Sequence, residues 1–157
     1  MTVSTFPHLA SAGVAHMDDV GAKPDTHRTA TASGVLITSA EVVEMLRAGG
    51  VPKGDALAVA RIAAITGTKR TADLIPLCHP IRLDGVDVVV EVTDRGVEIT
   101  VTCRATDRTG VEMEALTGVT VGGLALYDMV KAMDPYAVLT EIRLEAKSGG
   151  RSGELRR

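Results

Sequence analysis

The chain has 157 residues, of which 45% are hydrophobic and 24% charged; this is the composition of one globular domain with its own core, not of a disordered chain. A net charge of −3, one phenylalanine, two tyrosines and no tryptophan argue against a general nucleic-acid binder, which needs cationic surface and stacking aromatics. Two cysteines, Cys78 and Cys103, without a signal peptide or a membrane-spanning run, predict reduced thiols in a cytoplasmic protein.

The first half of the chain predicts an arm, a strand and two helices. Residues 1–26 are rich in Ser, Ala, Gly and Asp, which predicts a flexible N-terminal arm. Weak alternation from 27 to 38 indicates a strand. Thr38 and Glu41 have capping-box spacing and predict the start of a helix that ends at Gly49-Gly50. Asp55 is positioned to cap a second, apolar helix.

A β-hairpin and a long helix follow. Hydrophobic residues alternate with polar ones in 86–92 and again in 97–103, and the turn Asp94–Gly96 joins the two segments. This pattern predicts an antiparallel hairpin with one solvated face. An apolar stretch over 111–133, ended by Pro135, predicts a helix.

The last elements set the fold class. Residues 136–147 read as a final strand, and 148–157 form a glycine-rich basic tail. The order β-α-α-β-β-α-β predicts a single α+β domain over 27–147, with the helices on one face of an antiparallel sheet.

Cysteine and histidine stand side by side in LIPLCHP, residues 74–80. Structural zinc needs about four ligands in short paired spacings, so the sequence predicts no metal site here. A catalytic thiol needs a cation to lower its pKa, and the adjacent residue in an extended segment points to the opposite side. Packing is therefore favoured for Cys78. For His79, a core position and an anion-facing pocket both stay open, because Lys69 and Arg70 are near in sequence.

Neither GTKRT nor KSGGRSG matches a Walker phosphate loop. Glycine and basic residues still suit phosphate contacts through backbone N–H groups and ammonium charge. For the tail glycines 149, 150 and 153, however, flexibility is the interpretation that composition favours.

The long helix carries a charged pair. Asp128 and Lys131 are neighbours on one face, with Glu114 near the start of the helix. A surface ion pair is the ordinary interpretation and contributes little. In a mostly apolar, buried helix the pair would be costly unless it had partners or a function. Gly118, Gly122 and Gly123 weaken the helix but would let another helix or a ligand come close.

These motifs resemble those of the MoaC family of cyclic pyranopterin monophosphate synthases, which act in molybdenum cofactor biosynthesis. The resemblance covers nearly the whole chain. The segments that carry it are HMDDVGAKP, KGDALAVARIA, TKRTADLIPLCHP, TGVEMEALT, LYDMVKAMD and KSGGRSG.

The resemblance implies a lyase that converts 3′,8-cyclo-7,8-dihydro-GTP to cyclic pyranopterin monophosphate and releases pyrophosphate. It also implies a ferredoxin-like fold and dimers assembled into a hexamer, with active sites at subunit interfaces. No metal would be bound by the protein, although magnesium could accompany the triphosphate. Asp128 would be the catalytic acid/base, with Lys131 beside it. The residues implied to bind substrate are Leu77, Cys78, His79, Met113, Glu114, Lys53, Lys69 and Arg28.

Two other classes stay open beside the enzyme. Glycines replace the family's usual alanines in 118–125, which would fit a pterin- or nucleotide-binding paralogue that has lost turnover. A purely structural assembly subunit would leave the Asp128–Lys131 pair without a function. Turnover of the cyclic dihydro-GTP by the purified protein would separate the enzyme from both.

Overall fold

Within residues 14–150 and 153–157, which the computed structural model describes, the chain forms four helices and five strands. Residues 1–13 of the predicted arm and 151–152 of the predicted tail lie outside the described residues. The helices are α1 (Ala40–Ala48), α2 (Ala56–Thr68), α3 (Thr71–Leu74) and α4 (Glu112–Val130). The strands are β1 (Thr26–Ile37), β2 (Gly85–Thr93), β3 (Gly96–Asp107), β4 (Val138–Ser148) and β5 (Leu155–Arg156).

All the strands join one antiparallel sheet in the order β2-β3-β1-β4-β5. The α+β prediction is confirmed, and the order of the first four strands is that of a ferredoxin-like fold. Helices α2 and α4 pack on one face, where Ala32 and Val101 are fully buried. On the other face Thr31 and Thr102 are half-buried and their hydroxyls are 2.9 Å apart.

Local sequence signals account for most of the elements. The predicted hairpin is β2–β3, and its alternation is visible in β3, where Val97 and Ile99 are fully buried while Glu98 is exposed. Asp55 caps α2 as predicted, accepting a hydrogen bond from the backbone N–H of Ala58 at 2.9 Å. Gly49 ends α1 with a φ of 68°, the left-handed conformation that favours glycine at this position.

The predicted capping box at Thr38 is wrong. Ser39 caps α1, and its side chain accepts from the backbone N–H of Val42. Thr38 lies between the end of β1 and the N-cap Ser39, and its hydroxyl donates to the Asp134 carboxylate at 2.8 Å instead. That carboxylate also accepts from the Ser39 backbone N–H at 2.9 Å, so a contact distant in sequence decides which hydroxyl begins the helix.

The glycines of α4 allow close packing. A side chain at Gly118 would lie 2.7 Å from the Thr68 methyl group, and one at Gly122 would lie 3.0 Å from the Ala64 methyl group, both on α2. A side chain at Gly123 would overlap the Leu139 side chain of β4. The close partners are therefore another helix and a strand. Helix α4 ends at Val130, earlier than the predicted residue 133.

Gly118→Ala should destabilise the domain by roughly 1–3 kcal/mol, the usual cost of overpacking, although alanine is the better helix former. Urea unfolding measures the change. Because the contact is the Thr68 methyl group, Thr68→Ser should relieve part of it while keeping the hydroxyl bond to the Ile65 carbonyl. The double variant should then lose less free energy of unfolding than the two single variants lose in sum. Additive losses would contradict the prediction.

Among the described residues, the structure contains no helix with the length and apolar character that spanning a membrane requires.

Candidate active site

A cavity of about 510 Å³ lies at the start of α4. Its lining brings together five side chains that the sequence analysis assigned to substrate binding: Leu77, Cys78, His79, Met113 and Glu114. The first three lie on the segment that follows α3, and the other two lie in the first turn of α4. A pocket of this size, mostly apolar with a few polar groups, is the usual form of a small-molecule site.

The N-terminal segment supplies a wall that the sequence did not predict. Asp18, Val20 and Lys23 line the same cavity. Nε2 of His79 lies 2.8 Å from the backbone carbonyl oxygen of Asp18, and because a carbonyl only accepts, Nε2 carries the proton. The motif HMDDVGAKP was the available signal, and no role had been assigned to its residues.

A second cavity, of about 360 Å³, adjoins the first and shares Lys23 and Glu112 with it. Its other cationic lining residues are Arg28, Arg108 and Lys147. Of these four cationic residues, the family resemblance implies a substrate-binding role only for Arg28. Lys147 Nζ donates to Glu112 Oε1 at 2.9 Å. We call this space the cationic cavity; it has the charge that a polyphosphate requires.

Arg28 is fixed by backbone on two sides. Its guanidinium donates to the carbonyl oxygens of Asp107, at 3.4 Å, and Arg108, at 3.3 Å. Gly149 and Gly150 have φ values of 94° and 77°, and a side chain at Gly150 would overlap the Arg28 guanidinium. Close approach therefore requires glycine at positions 149 and 150, whereas a side chain at Gly153 would have no neighbour within 4 Å; the flexibility that composition favours for the tail stays a prediction.

Lys69 lies at the end of α2, beside a small cavity of about 110 Å³ that Glu114 also lines. Glu114 also lines the 510 Å³ cavity, whereas Lys69 does not. Lys69 is therefore at the periphery of the larger cavity. Lys69 is exposed there.

Glu114 is the unusual carboxyl group of the site. It is only 3% exposed, and its Oε2 is buried with no hydrogen-bond partner. Burial raises the pKa of Glu114 to about 7, because low dielectric disfavours the charged form. Near neutral pH this side chain can therefore be present as a neutral acid, able to donate a proton or a hydrogen bond into the cavity.

The Glu114 carboxyl should make the domain less stable as pH rises. Its pKa is about 4.5 when unburied and about 7 in the folded chain, so stability is full below the first value and falls as pH rises through the second. Between pH 5 and pH 8, we expect wild type to lose on the order of 1–3 kcal/mol relative to Glu114→Gln. Urea unfolding across pH measures this, with exposed Glu44→Gln as control. Parallel pH curves for wild type and Glu114→Gln would contradict the assignment.

Cys78 and His79 both line one cavity, and the opposite directions predicted for their side chains stay a prediction. Cys78 is half-buried rather than part of the core. Its pKa is raised, first by burial and then by the nearby Glu114 charge, so the thiol stays protonated and is a poor nucleophile. Cys103 is the fully buried thiol, and burial raises its pKa to about 12.

A second cluster forms at the other end of α4. Asp128 Oδ1 lies 2.6 Å from Lys131 Nζ, and Asp128 Oδ2 lies 2.9 Å from Lys53 Nζ. Lys53 also donates to the Asp128 backbone carbonyl at 2.7 Å. The sequence had assigned all three to the site but had not indicated that Lys53 contacts the pair. We call these residues the two-lysine cluster.

The expectation that this pair is buried is wrong for the single chain. The side chains of Asp128, Lys131 and Lys53 are 55%, 51% and 43% exposed. Hydrogen bonds from Lys131 and then Lys53 lower the pKa of Asp128 to about 2, and the Asp128 carboxylate raises the pKa of Lys131. At neutral pH, then, an ionised carboxylate holds two ammonium groups that face solvent.

The two groups of residues are well separated on one chain. Glu114 and Asp128 are fourteen residues apart on the same helix, so about 21 Å lies between their positions. That is further than a bicyclic ring with its sugar extends. Among the described residues, no group of three or more His, Cys, Asp or Glu side chains is arranged to hold a metal ion.

Comparison with known proteins gives concordant matches. The MoaC family model matches residues 17–150. A protein of Streptomyces griseus is 58% identical over 99% of this chain and 88% of its own length. A protein of Streptomyces coelicolor is 59% identical over 94% of this chain and 86% of its own length. Both are named cyclic pyranopterin monophosphate synthase. A Mycobacterium bovis protein, named cyclic pyranopterin monophosphate synthase 2, is 58% identical over 93% of this chain and 87% of its own length.

Proposed function

This chain belongs to the MoaC family, and we propose that it is a cyclic pyranopterin monophosphate synthase of molybdenum cofactor biosynthesis. The substrate would be 3′,8-cyclo-7,8-dihydro-GTP. The reaction rearranges the ring system, closes a cyclic phosphate on the sugar-derived part and releases pyrophosphate.

The observation that carries this proposal is the pair of adjoining cavities. One is largely apolar and holds a buried carboxyl group with an unpartnered oxygen, while the other is lined by four cationic side chains. A nucleotide-derived substrate has the same two halves, a heterocycle and a triphosphate. We propose that the ring system lies against Met113 and Glu114, and that the triphosphate lies against Arg28 and Lys147.

The two-lysine cluster would supply proton transfer. Ring opening and reclosure both need protons moved at positioned groups. With a pKa of about 2, Asp128 is a weak base, so we assign it the role of holding Lys53 and Lys131 in place. The lysines would donate and accept the protons and stabilise the negative charge that develops as pyrophosphate leaves.

We propose that each active site takes its two parts from different copies of the chain. The cavity residues and the two-lysine cluster are about 21 Å apart along α4, so one copy does not bring them together around a ring system. Exposed apolar side chains lie on the helices between them: Ile62 at 65%, Leu124 at 57% and Val59 at 40% exposure. Such a surface suits a homo-oligomer, and a hexamer built as a trimer of dimers is our proposal.

Neither a metal nor another cofactor held by the protein is part of this proposal, although magnesium could accompany the triphosphate. The cytoplasm is the proposed compartment, because Cys78 and Cys103 are both free thiols.

The alternative of a binding protein without turnover has lost its motivation. It rested on the glycines of α4, and these have a packing role against α2 and β4. Asp128, Lys131 and Glu114 are all present.

Turnover by the purified protein tests the proposal. Incubation with the cyclic dihydro-GTP should release pyrophosphate and yield cyclic pyranopterin monophosphate in equal amounts. A folded protein that binds this substrate but releases neither product would contradict the enzyme assignment.

A further inference from the structure

The segment that carries Lys23 into the site has little to hold it in place. Residues 14–25 contain no helix, and none of them is fully buried. A backbone hydrogen bond from Lys23 to Val20 makes one turn within the segment. Because it buries so little apolar surface, its position must depend on polar contacts with the rest of the domain.

Arg108 makes two of these contacts, one on each side of Lys23. Its terminal nitrogen donates to the Gly21 carbonyl oxygen at 3.3 Å, and its Nε donates to Asp25 Oδ1 at 3.2 Å. Gly21 is two residues before Lys23, and Asp25 is two residues after it. One planar guanidinium thus spans residues 21–25, whose middle residue is Lys23, which a single ammonium group cannot do.

We infer that Arg108 is a positioning residue, which clamps residues 21–25 so that Lys23 faces an anion in the cationic cavity. Lys23 lines both cavities, so the clamp sets the geometry where they meet. The inference rests on the proposed function for the identity of the anion, a nucleoside triphosphate that leaves as pyrophosphate.

The side chain of Arg108 can be tested apart from its backbone. The Arg108 carbonyl oxygen accepts from Arg28 at 3.3 Å, and that contact survives any substitution. Arg108→Lys keeps the positive charge beside the cavity but loses the planar fork. If Arg108 acted only through its charge, the lysine would nearly replace it; if it acts as a clamp, the lysine does not.

Asp25→Ala distinguishes the clamp from simple electrostatics by the sign of its effect. Removing a negative charge beside an anion site should tighten anion binding if charge alone matters. Loss of the clamp should instead weaken it, because Lys23 is no longer held. We expect Asp25→Ala and Arg108→Lys each to weaken binding of inorganic pyrophosphate roughly three- to tenfold, the scale of one ordinary hydrogen bond.

Calorimetric titration with pyrophosphate measures these affinities. Amide hydrogen exchange of residues 18–25 measures how firmly the segment that carries Lys23 is held. Both variants should exchange faster there than wild type and raise KM more than they lower kcat. Arg108→Lys should add almost nothing in a Lys23→Ala background, because both changes remove the same contact. Arg47→Lys and Asp94→Ala, which alter an exposed pair on α1 and the β2–β3 turn, are matched controls and should behave as wild type.

Wild-type affinity in Arg108→Lys, tighter binding in Asp25→Ala, or no pyrophosphate binding by wild type would overturn the inference. The outcome is separable from that of the proposed function. If the protein binds pyrophosphate with the expected pattern but does not turn over cyclic dihydro-GTP, the positioning role of Arg108 is supported and the proposed function is refuted. If wild type turns over the substrate and the variants bind pyrophosphate as wild type does, the proposed function is supported and the positioning role of Arg108 is refuted.

Discussion

Asp128→Asn should reduce turnover about 100-fold or more, because the lysines that transfer protons are no longer held in place and general acid–base catalysis is worth about that much, while leaving the fold and substrate binding nearly intact. The side chain is more than half exposed, so its removal opens no cavity in the core. What is lost is the carboxylate that holds Lys131 and Lys53 at hydrogen-bond distance. Lys131→Ala should produce a loss of similar size. Single-turnover kinetics, with binding measured separately, is the deciding measurement.

Two further observations separate this role from that of an ordinary surface ion pair. The double variant Asp128→Asn/Lys131→Ala should be little worse than either single one, because groups that act as a unit are not additive. Since the Asp128 carboxylate raises the pKa of Lys131, the residual activity of Asp128→Asn should move to lower pH. Glu44 and Arg47 form an exposed pair of the same spacing on α1, and Glu44→Gln should leave turnover unchanged. Near-normal product formation by Asp128→Asn would refute the assignment.

The elements that could be predicted are those with signals inside a few residues. Alternating valines identified the hairpin, Asp55 the start of α2, and Gly49 the end of α1. The start of α1 failed because Thr38 and Ser39 can both cap a helix. The choice between them is made by Asp134, far away in the chain, and no local pattern contains that information.

The site divides in the same way. Residues within recognisable motifs, such as His79 and Glu114, could be picked out. Lys23, Arg108 and Lys147 could not, because they lie on the N-terminal segment, after β3 and on β4. They approach one another only because β1 pairs with both β3 and β4 in the folded sheet.

The exposure of Asp128 shows the limit of reading burial from composition. An apolar helix does bury most of its length: Ala115, Val119 and Leu126 are fully buried. Its last turn nevertheless carries Asp128 into solvent. Lys53 is a further partner of this charged pair within the chain, and no local pattern in the sequence indicated that contact.

Mixing two inactive variants should restore activity if each site is shared between copies. His79→Ala damages the cavity and leaves the two-lysine cluster intact, while Asp128→Asn does the reverse. In a random equal mixture of the two chains, about a quarter of the sites should combine an intact cavity with an intact cluster, since each is drawn independently from one of two copies. Co-expression of the variants should then give about a quarter of wild-type turnover, although each alone is nearly inactive.

The control is a mixture of two variants damaged in the same part. Asp128→Asn with Lys131→Ala can never assemble an intact two-lysine cluster, so that mixture should stay as inactive as its components. Separately purified proteins, combined without subunit exchange, should also show no recovery. If each chain instead carried a complete site, mixing His79→Ala with Asp128→Asn could do no better than the average of the two. Activity at that average, in assemblies shown to contain both chains, would exclude the shared site and would require Asp128 to act across 21 Å of its own helix.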